Sequence, residues 1–227
     1  AANITLDSNG GEIELSGTNT DGLTASTSGS ASAGSISISN AGQTSIDGVQ
    51  LASNTSSAGN AGSITINSSS LTVNDAVVTS TSNGGTSGQA GSIAIEAENM
   101  TLTNVSVETT TESSAFGNNA ATIDIKTTVG DLSLDNSNVQ ASTSGSNAAG
   151  SIKLTGTNVV QLSNGASLSS NTSSGGLAGA ITVTAANLNT NGANFSSTSV
   201  GATSGQAGSI ILNAENVSIV DSVVTTT

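Results

Sequence analysis

Ala33-Gly34-Ser35-Ile36-Ser37-Ile38 is a phrase that the chain repeats. It returns as Ala61-Gly62-Ser63-Ile64-Thr65-Ile66. Shorter copies stand at Ala90-Gly91-Ser92-Ile93, Ala149-Gly150-Ser151-Ile152, Ala178-Gly179-Ala180-Ile181 and Ala207-Gly208-Ser209-Ile210. Two weaker copies, Ala2-Asn3-Ile4 and Ala120-Ala121-Thr122-Ile123, complete the series. The second position of the phrase falls at residues 2, 34, 62, 91, 121, 150, 179 and 208, in steps of 28–32 residues. A fixed period in this range is the signature of a solenoid, in which one small unit is stacked on copies of itself.

Within each period apolar residues alternate with small polar ones, the pattern of a β-strand with one buried face. Three short strands can be read per repeat. In the third repeat they are Ile64-Thr65-Ile66, Leu71-Thr72-Val73 and Ala76-Val77-Val78-Thr79-Ser80-Thr81. The offset between the second and third strands barely drifts: Val73 to Val78, Leu102 to Val107 and Leu134 to Val139 are each five residues. The bend between them falls on Asp47-Gly48, Asn74-Asp75, Asn104, Asp135-Asn136, Asn164-Gly165, Asn191-Gly192 and Asp221. Asn, Asp and Gly tolerate left-handed backbone, and stacked Asn and Asp side chains can bond along a rod.

The fold this predicts is all-β: a right-handed parallel β-helix (β-solenoid), three strands per coil, in about eight coils of 28–32 residues. No stretch shows 3.6-residue periodicity, which argues against helices. The Asn-Gly pairs Asn164-Gly165 and Asn191-Gly192 recur at one corner rather than between reversing strands, which argues against a sandwich. One coil buries too few apolar side chains to order its own residues, so stability is expected to be shared between neighbours. Inward columns hold Ile, Leu and Val, and Phe195 replaces Val78 and Leu168 in one of them. Phe116 falls in a variable loop, where it is expected to pack over the coil edge.

A longer period lies above the first. Thr86-Ser87-Gly88-Gln89-Ala90-Gly91-Ser92-Ile93 recurs letter for letter as Thr203 to Ile210, 117 residues later. Ala97-Glu98-Asn99 recurs as Ala214-Glu215-Asn216, and Asn54-Thr55-Ser56-Ser57 as Asn171-Thr172-Ser173-Ser174, again 117 later. Ala25 to Ser30 recurs at Ala141 to Ser146, 116 later. We read residues 1–227 as a single β-solenoid segment made of two four-coil blocks, about 1–119 and 120–227. Ala121 in place of Gly marks the start of the second block, where a looser corner is expected around the preceding loop. No capping segment is recognisable at either end, and the chain is expected to be part of a longer stack.

Composition narrows the function. The 227 residues hold 15 Asp and Glu against two Lys (Lys126 and Lys153), with no Arg and no His, a formal net charge of −13. A chain so acidic has nothing to neutralise a phosphate backbone, so nucleic acid is excluded as a main partner. Attraction to an anionic membrane fails for the same reason. No run of 18 apolar residues exists to cross a bilayer as a helix. The charge favours solubility and opposes lateral clumping.

Each candidate for chemistry meets a simpler reading. Lys153 and Asp124 lie 29 residues apart on one outward column and are expected to form a stacked ion pair rather than a catalytic site. No two carboxylates stand at a spacing suited to acid–base work, and Trp, Tyr and His are absent. We therefore expect no enzyme, no catalytic, cofactor-binding or metal-binding residue and no cofactor. Calcium has candidate hard oxygen ligands in the corner aspartates Asp47, Asp75, Asp135 and Asp221, and as a weak surface ion at Glu12 with Glu14 or Glu96 with Glu98. The nonapeptide of calcium-binding β-rolls is absent, and a solvated acidic surface is the preferred reading. Thr-x-Thr rows on a flat β-helix face would suit ice, but a soluble Ser/Thr face with good β-propensity is the preferred reading. The outward pairs of the third strand are Thr/Thr only at Thr79/Thr81 and Thr225/Thr227, with Glu108 and Gln140 interrupting the array.

Gly-Asn/Gln-Ala-Gly-Ser-Ile-x-Ile, then Leu-Thr-Leu/Val-x-Asn, then a Ser/Thr-rich strand and loop, resembles the filamentous haemagglutinin-like exoproteins of bacteria. These are of two-partner-secretion type, with Ser/Thr/Gly-rich repeats as in cyanobacteria. The likeness runs from Ala2 to Thr227. The family's amino-terminal secretion domain has no counterpart here. The resemblance implies an extracellular, cell-surface β-helix exported across the outer membrane for adhesion, sheath building or surface fibrils. The expected function is a structural repeat segment of an extracellular filament or sheath fibre, self-associating into filaments. The alternative is an adhesin passenger that binds polysaccharide or partner cells through its Ser/Thr/Asn face or the loops 83–89, 112–119 and 200–206.

Overall fold

The computed structural model describes residues 2–83, 88–112, 121–144, 148–173, 175–200 and 205–227. Its regular structure is entirely β, with no helix among the described residues. Every strand pairing is parallel. Successive coils stack strand on strand, seven full turns followed by the three-strand arc of an eighth. The registers are those the phrase sets: Ile36 pairs with Ile4 and Ile64, Ile93 with Ile64 and Ile123, and Ile181 with Ile152 and Ile210.

The three strands of a coil distribute over two sheets. Third strands, from Gly22–Thr24 to Val223–Thr226, form an eight-stranded sheet. First and second strands share an eleven-stranded sheet. In five coils they are one continuous strand: Ile36–Asp47, Ile64–Asn74, Ile93–Thr103, Ile181–Asn191 and Ile210–Val220. The expected corner between strands one and two is therefore only a bend there. In Ile64–Asn74 the alternation of buried and exposed residues slips once, at Ser69 and Ser70, and resumes at Leu71. The inward position at the bend holds a small residue in coil after coil, Ala41, Ser68, Ala97 and Thr127, all buried. Small side chains let the backbone fold inward without breaking the ladder.

Spacing marks the extremes, while at eight residues the strand is continuous in Ile36–Asp47 and divided between Ile152–Thr155 and Val159–Ser163. Where seven residues separate the first inward residue of strand one from that of strand two, as from Ile64 to Leu71 or Ile93 to Met100, the strand is continuous. Where nine do, the strand divides into Ile4–Asp7 and Glu12–Ser16, or Ile123–Thr127 and Leu132–Asp135.

The corner between strands two and three forms at the expected residues. Asp75, Asn104, Asn136, Asn164 and Asp221 have φ of 45° to 56°, and Gly48 and Gly192 have φ of 65° and 71°. This is the left-handed region, where Asn, Asp and Gly carry the smallest penalty. Each corner amide donates to the next coil: Asp75 to the Thr103 carbonyl, Asn104 to Asp135 and Asn136 to Ser163, at 3.0 Å each.

The glycine of the repeated phrase answers a different need. Its φ is not left-handed; the constraint is axial crowding. A Cβ on Gly91 would run into the Gly62 carbonyl and lie 2.7 Å from Ser80 Oγ, and a Cβ on Gly179 would meet Gly150 and Ser170 in the same way. Ala121 is buried and stands at this position in coil 5. The looser corner expected before it, and Phe116, lie outside the described residues. One apolar cluster runs through the stack from Ile13 to Phe195, and Phe195 is fully buried in its column.

Candidate functional site

Polar side chains in this molecule bond mainly up and down the rod. Outside the strand-two corner the amides form a ladder. Asn104 Nδ2 donates to Asp75 Oδ1 at 2.9 Å, Asn136 Nδ2 to Asn104 Oδ1 at 2.8 Å, and Asn164 Nδ2 to Asp135 Oδ1 at 2.6 Å. Asp75 and Asp135, weighed as calcium ligands, thus serve as acceptors for neighbouring coils. Among the described residues, no group of three or more His, Cys, Asp or Glu lies close enough to hold a metal ion.

A second ladder is internal. Ser80 Oγ donates to the Gly62 carbonyl at 2.7 Å and accepts the Gly91 amide at 2.9 Å. Ser53, Ser170 and Ser197 make the same pair of bonds to Gly34 and Gly62, Gly150 and Gly179, and Gly179 and Gly208. The phrase glycine and the inward serine of the third strand are one device. Coil 4 departs from this: Thr109 holds the serine's place, its hydroxyl has no partner, and the coil that follows opens on Ala121 instead of Gly, while coils 1 and 5 carry Ala25 and Ala141 in the column and coil 8 carries Thr226.

The expected ion pair forms: Lys153 Nζ lies 3.9 Å from Asp124 Oδ2, across the paired residues Asp124 and Lys153. A second, Lys126 Nζ to Glu96 Oε2 at 3.5 Å, was not anticipated, although its 30-residue separation matches the local coil step. It engages one member of the Glu96 and Glu98 pair considered for calcium. Both pairs are about half exposed, where such contacts contribute little. Both glutamates line an open trough of about 700 Å³ outside the strand-one bend, with Asn40, Asn67, Ser69 and Thr128.

The outward face of the third strands is grooved. One groove of about 340 Å³ is lined by Thr110, Gln140, Ser142, Asn171, Thr198 and Val200, and another of about 370 Å³ by Ser26, Asn54, Ser56 and Asn83. An asparagine clamp shapes each. Asn54 Nδ2 donates to Thr79 Oγ1 at 3.1 Å, and Asn54 Oδ1 accepts the Thr81 amide at 2.8 Å. Asn171 Oδ1 accepts the Thr198 amide at 3.1 Å and the Thr198 hydroxyl at 2.8 Å. Thr79 and Thr81 are therefore buried rather than displayed in a flat row. The clamp was legible in principle, because Asn54 and Asn171 are the same letter of the 117-residue block.

In the first coil the Asp21 carboxylate accepts the Thr18 amide at 3.0 Å and the Thr18 hydroxyl at 2.8 Å. These bonds, the amide foremost, hold its pKa below the usual carboxylate value. The turn they close is fully exposed.

No protein-family model, no curated protein and no solved structure matches the chain. Among the described residues, no helix is long and apolar enough to cross a membrane.

Proposed function

We propose that the chain is a non-catalytic structural segment of an extracellular or cell-surface filament or sheath fibre. The observation that carries this is the parallel strand pairing that runs from coil to coil, with one register shift between Ile38 and Ala41, and with polar side chains bonded from coil to coil rather than converging on a pocket. Such a molecule transmits load along its axis through backbone ladders, a continuous apolar core and side-chain ladders together. The sequence likeness to filamentous haemagglutinin-like exoproteins supports export across the outer membrane to the cell surface. Absence of Cys and scarcity of aromatic residues suit a chain exported unfolded and folded outside. Negative-stain imaging of native material tests the reading: filaments of constant width are expected, and isolated short particles would overturn it.

A second reading, an adhesin, is favoured by the two amide- and hydroxyl-lined grooves of the third-strand face. Polar, weakly charged grooves suit the hydroxyl groups of a polysaccharide. Saturable binding on a glycan array, lost in Asn171→Leu, would support it; a blank array would remove it.

A further inference from the structure

The bend between strands one and two lengthens and shortens in a fixed order. From the first inward residue of strand one to that of strand two the offsets are nine (Ile4 to Ile13), eight (Ile36 to Thr44), seven (Ile64 to Leu71) and seven (Ile93 to Met100). In the second block they are again nine (Ile123 to Leu132), eight (Ile152 to Val160), seven (Ile181 to Leu188) and seven (Ile210 to Val217). Stacking fixes the inward columns, so the two extra residues of coils 1 and 5 must go outward. Asn9, Gly10 and Gly11 are exposed at the first of these bends, and Thr128 and Val129 at the second. Coils 3 and 4, between them, have the shortest bends, with Ser68 and Ala97 buried at the inward position. The long bends stand as ridges, and the space between them is the trough of about 700 Å³. Coil 1 to coil 5 is four strand steps, about 19 Å at about 4.8 Å each. The trough lies on the flank of the rod, where coils stacked on either end would not cover it.

We propose that this trough binds a short non-acidic oligosaccharide, a run of neutral or amino-substituted hexoses lying along the rod axis. Neither the fibre reading nor the third-strand grooves require such a site.

The polar groups of the trough are open to a ligand, whereas those elsewhere are engaged. At the strand-two corner the amides bond to one another, and in the third-strand grooves Asn54 and Asn171 clamp the next coil. On the trough floor Asn67 stands in register with Glu96, yet no hydrogen bond joins their side chains. The side chains of Asn67, Ser69 and Glu98 are exposed and make no hydrogen bond or ion pair among the described residues. Asn40 Nδ2 donates to Asp7 Oδ2 at 2.8 Å, which leaves its Oδ1 without a partner. Amides and hydroxyls both donate and accept, as sugar hydroxyls do, so each can take either role toward a hexose. The volume falls within the range of about 300–1,000 Å³ usual for small-molecule sites.

Charge sets the class of sugar. Both lysines of the chain are ion-paired and it has no Arg. A uronic acid would therefore meet the Glu98 carboxylate, on a chain of charge −13, with no free side-chain cation to receive it. An amino sugar instead gains a charge-assisted bond to Glu98. The lining holds no aromatic side chain for a sugar ring to stack on, so a single site is expected to bind in the millimolar range.

An NMR titration of the nitrogen-labelled protein tests the proposal, with the β spectrum of each variant checked by circular dichroism. The probes are the linear tetramers of glucose, glucosamine and galacturonic acid. Saturable shifts of the Asn40, Asn67, Ser69 and Glu98 amides are expected with the first two and none with the third. Asn67→Ala with Ser69→Ala should weaken both about tenfold. Glu98→Gln should weaken the glucosamine tetramer and leave the glucose tetramer unchanged. Thr65→Ala, outward on the same strand but outside the lining, should change neither, and nor should Asn171→Leu. Absence of saturable shifts with both non-acidic tetramers would overturn the proposal, as would equal binding of the galacturonate tetramer. Binding that survives Asn67→Ala with Ser69→Ala but is lost in Asn171→Leu would also overturn it. In that case the sugar occupies the third-strand grooves and the adhesin reading stands.

Discussion

Ser80 joins three parts of the molecule through one hydroxyl. It is fully buried, and removing it leaves the Gly91 amide and the Gly62 carbonyl without their partner. Each such buried group costs about 1–3 kcal/mol. Ser80→Ala should therefore lower the stability read by urea unfolding by at least about 1 kcal/mol, whereas Thr109→Val should be neutral or stabilising, because the Thr109 hydroxyl has no bond to lose. Equal losses in the two variants would show that the column acts by packing alone. Asp21 offers a pH test. Its folded-state pKa is depressed, so the stabilisation it lends its turn is present above the unfolded value of about 3.9 and is lost as pH falls through the lower folded value. The Thr18 amide resonance, followed by NMR, should titrate with a midpoint below about 3.9; a midpoint at or above it contradicts the assignment. At this scale the sequence showed that Gly was required in the phrase, but not why. The reason, crowding against the preceding coil and its serine, depends on two residues eighteen positions apart in one coil, Gly62 and Ser80, and on a third, Gly91, that opens the next.

At the scale of the element, the corner between strands two and three was readable and the bend between strands one and two was not. The corner demands left-handed backbone, and few residue types supply it, so Asn, Asp and Gly announce it. Beyond the first two coils, where Asn9, Gly10 and Asn40 are left-handed at this place, the bend demands only a small inward residue and one slip of the alternation, as at Ser68, Ser69 and Ser70, and in a chain this rich in Ser and Ala neither stands out. Five expected strand breaks are accordingly absent. The corner also separates two contributions of Asn104. Asn104→Gly removes both side-chain bonds of the ladder but relieves the backbone; Asn104→Ala removes the same bonds and imposes a left-handed conformation on Ala. Thermal unfolding should rank Ala below Gly by about 1 kcal/mol or more, with Gly itself below the parent. If Ala and Gly melted together, the positive φ would not be what selects Asn there.

At the scale of the whole molecule, stability should follow position in the stack. Ile125 is fully buried between two neighbouring coils, whereas Leu6 lies in the first coil and is only partly buried. Ile125→Ala should cost about 2–5 kcal/mol and Leu6→Ala clearly less, measured by urea unfolding. The architecture was legible from the repeated phrase alone, because a period of 28–32 residues with alternating apolar positions admits few other folds. The candidate surfaces were less so. The grooves arise from asparagine clamps between coils, and a single repeat gives no sign of a contact made with the next. The central claim is that these coils stack into a load-bearing filament. Diffraction from oriented native material tests it most directly. The account predicts a sharp reflection at about 4.8 Å along the filament axis, the spacing of parallel strands in successive coils. A 4.8 Å reflection lying across the axis, or none at all, would contradict it.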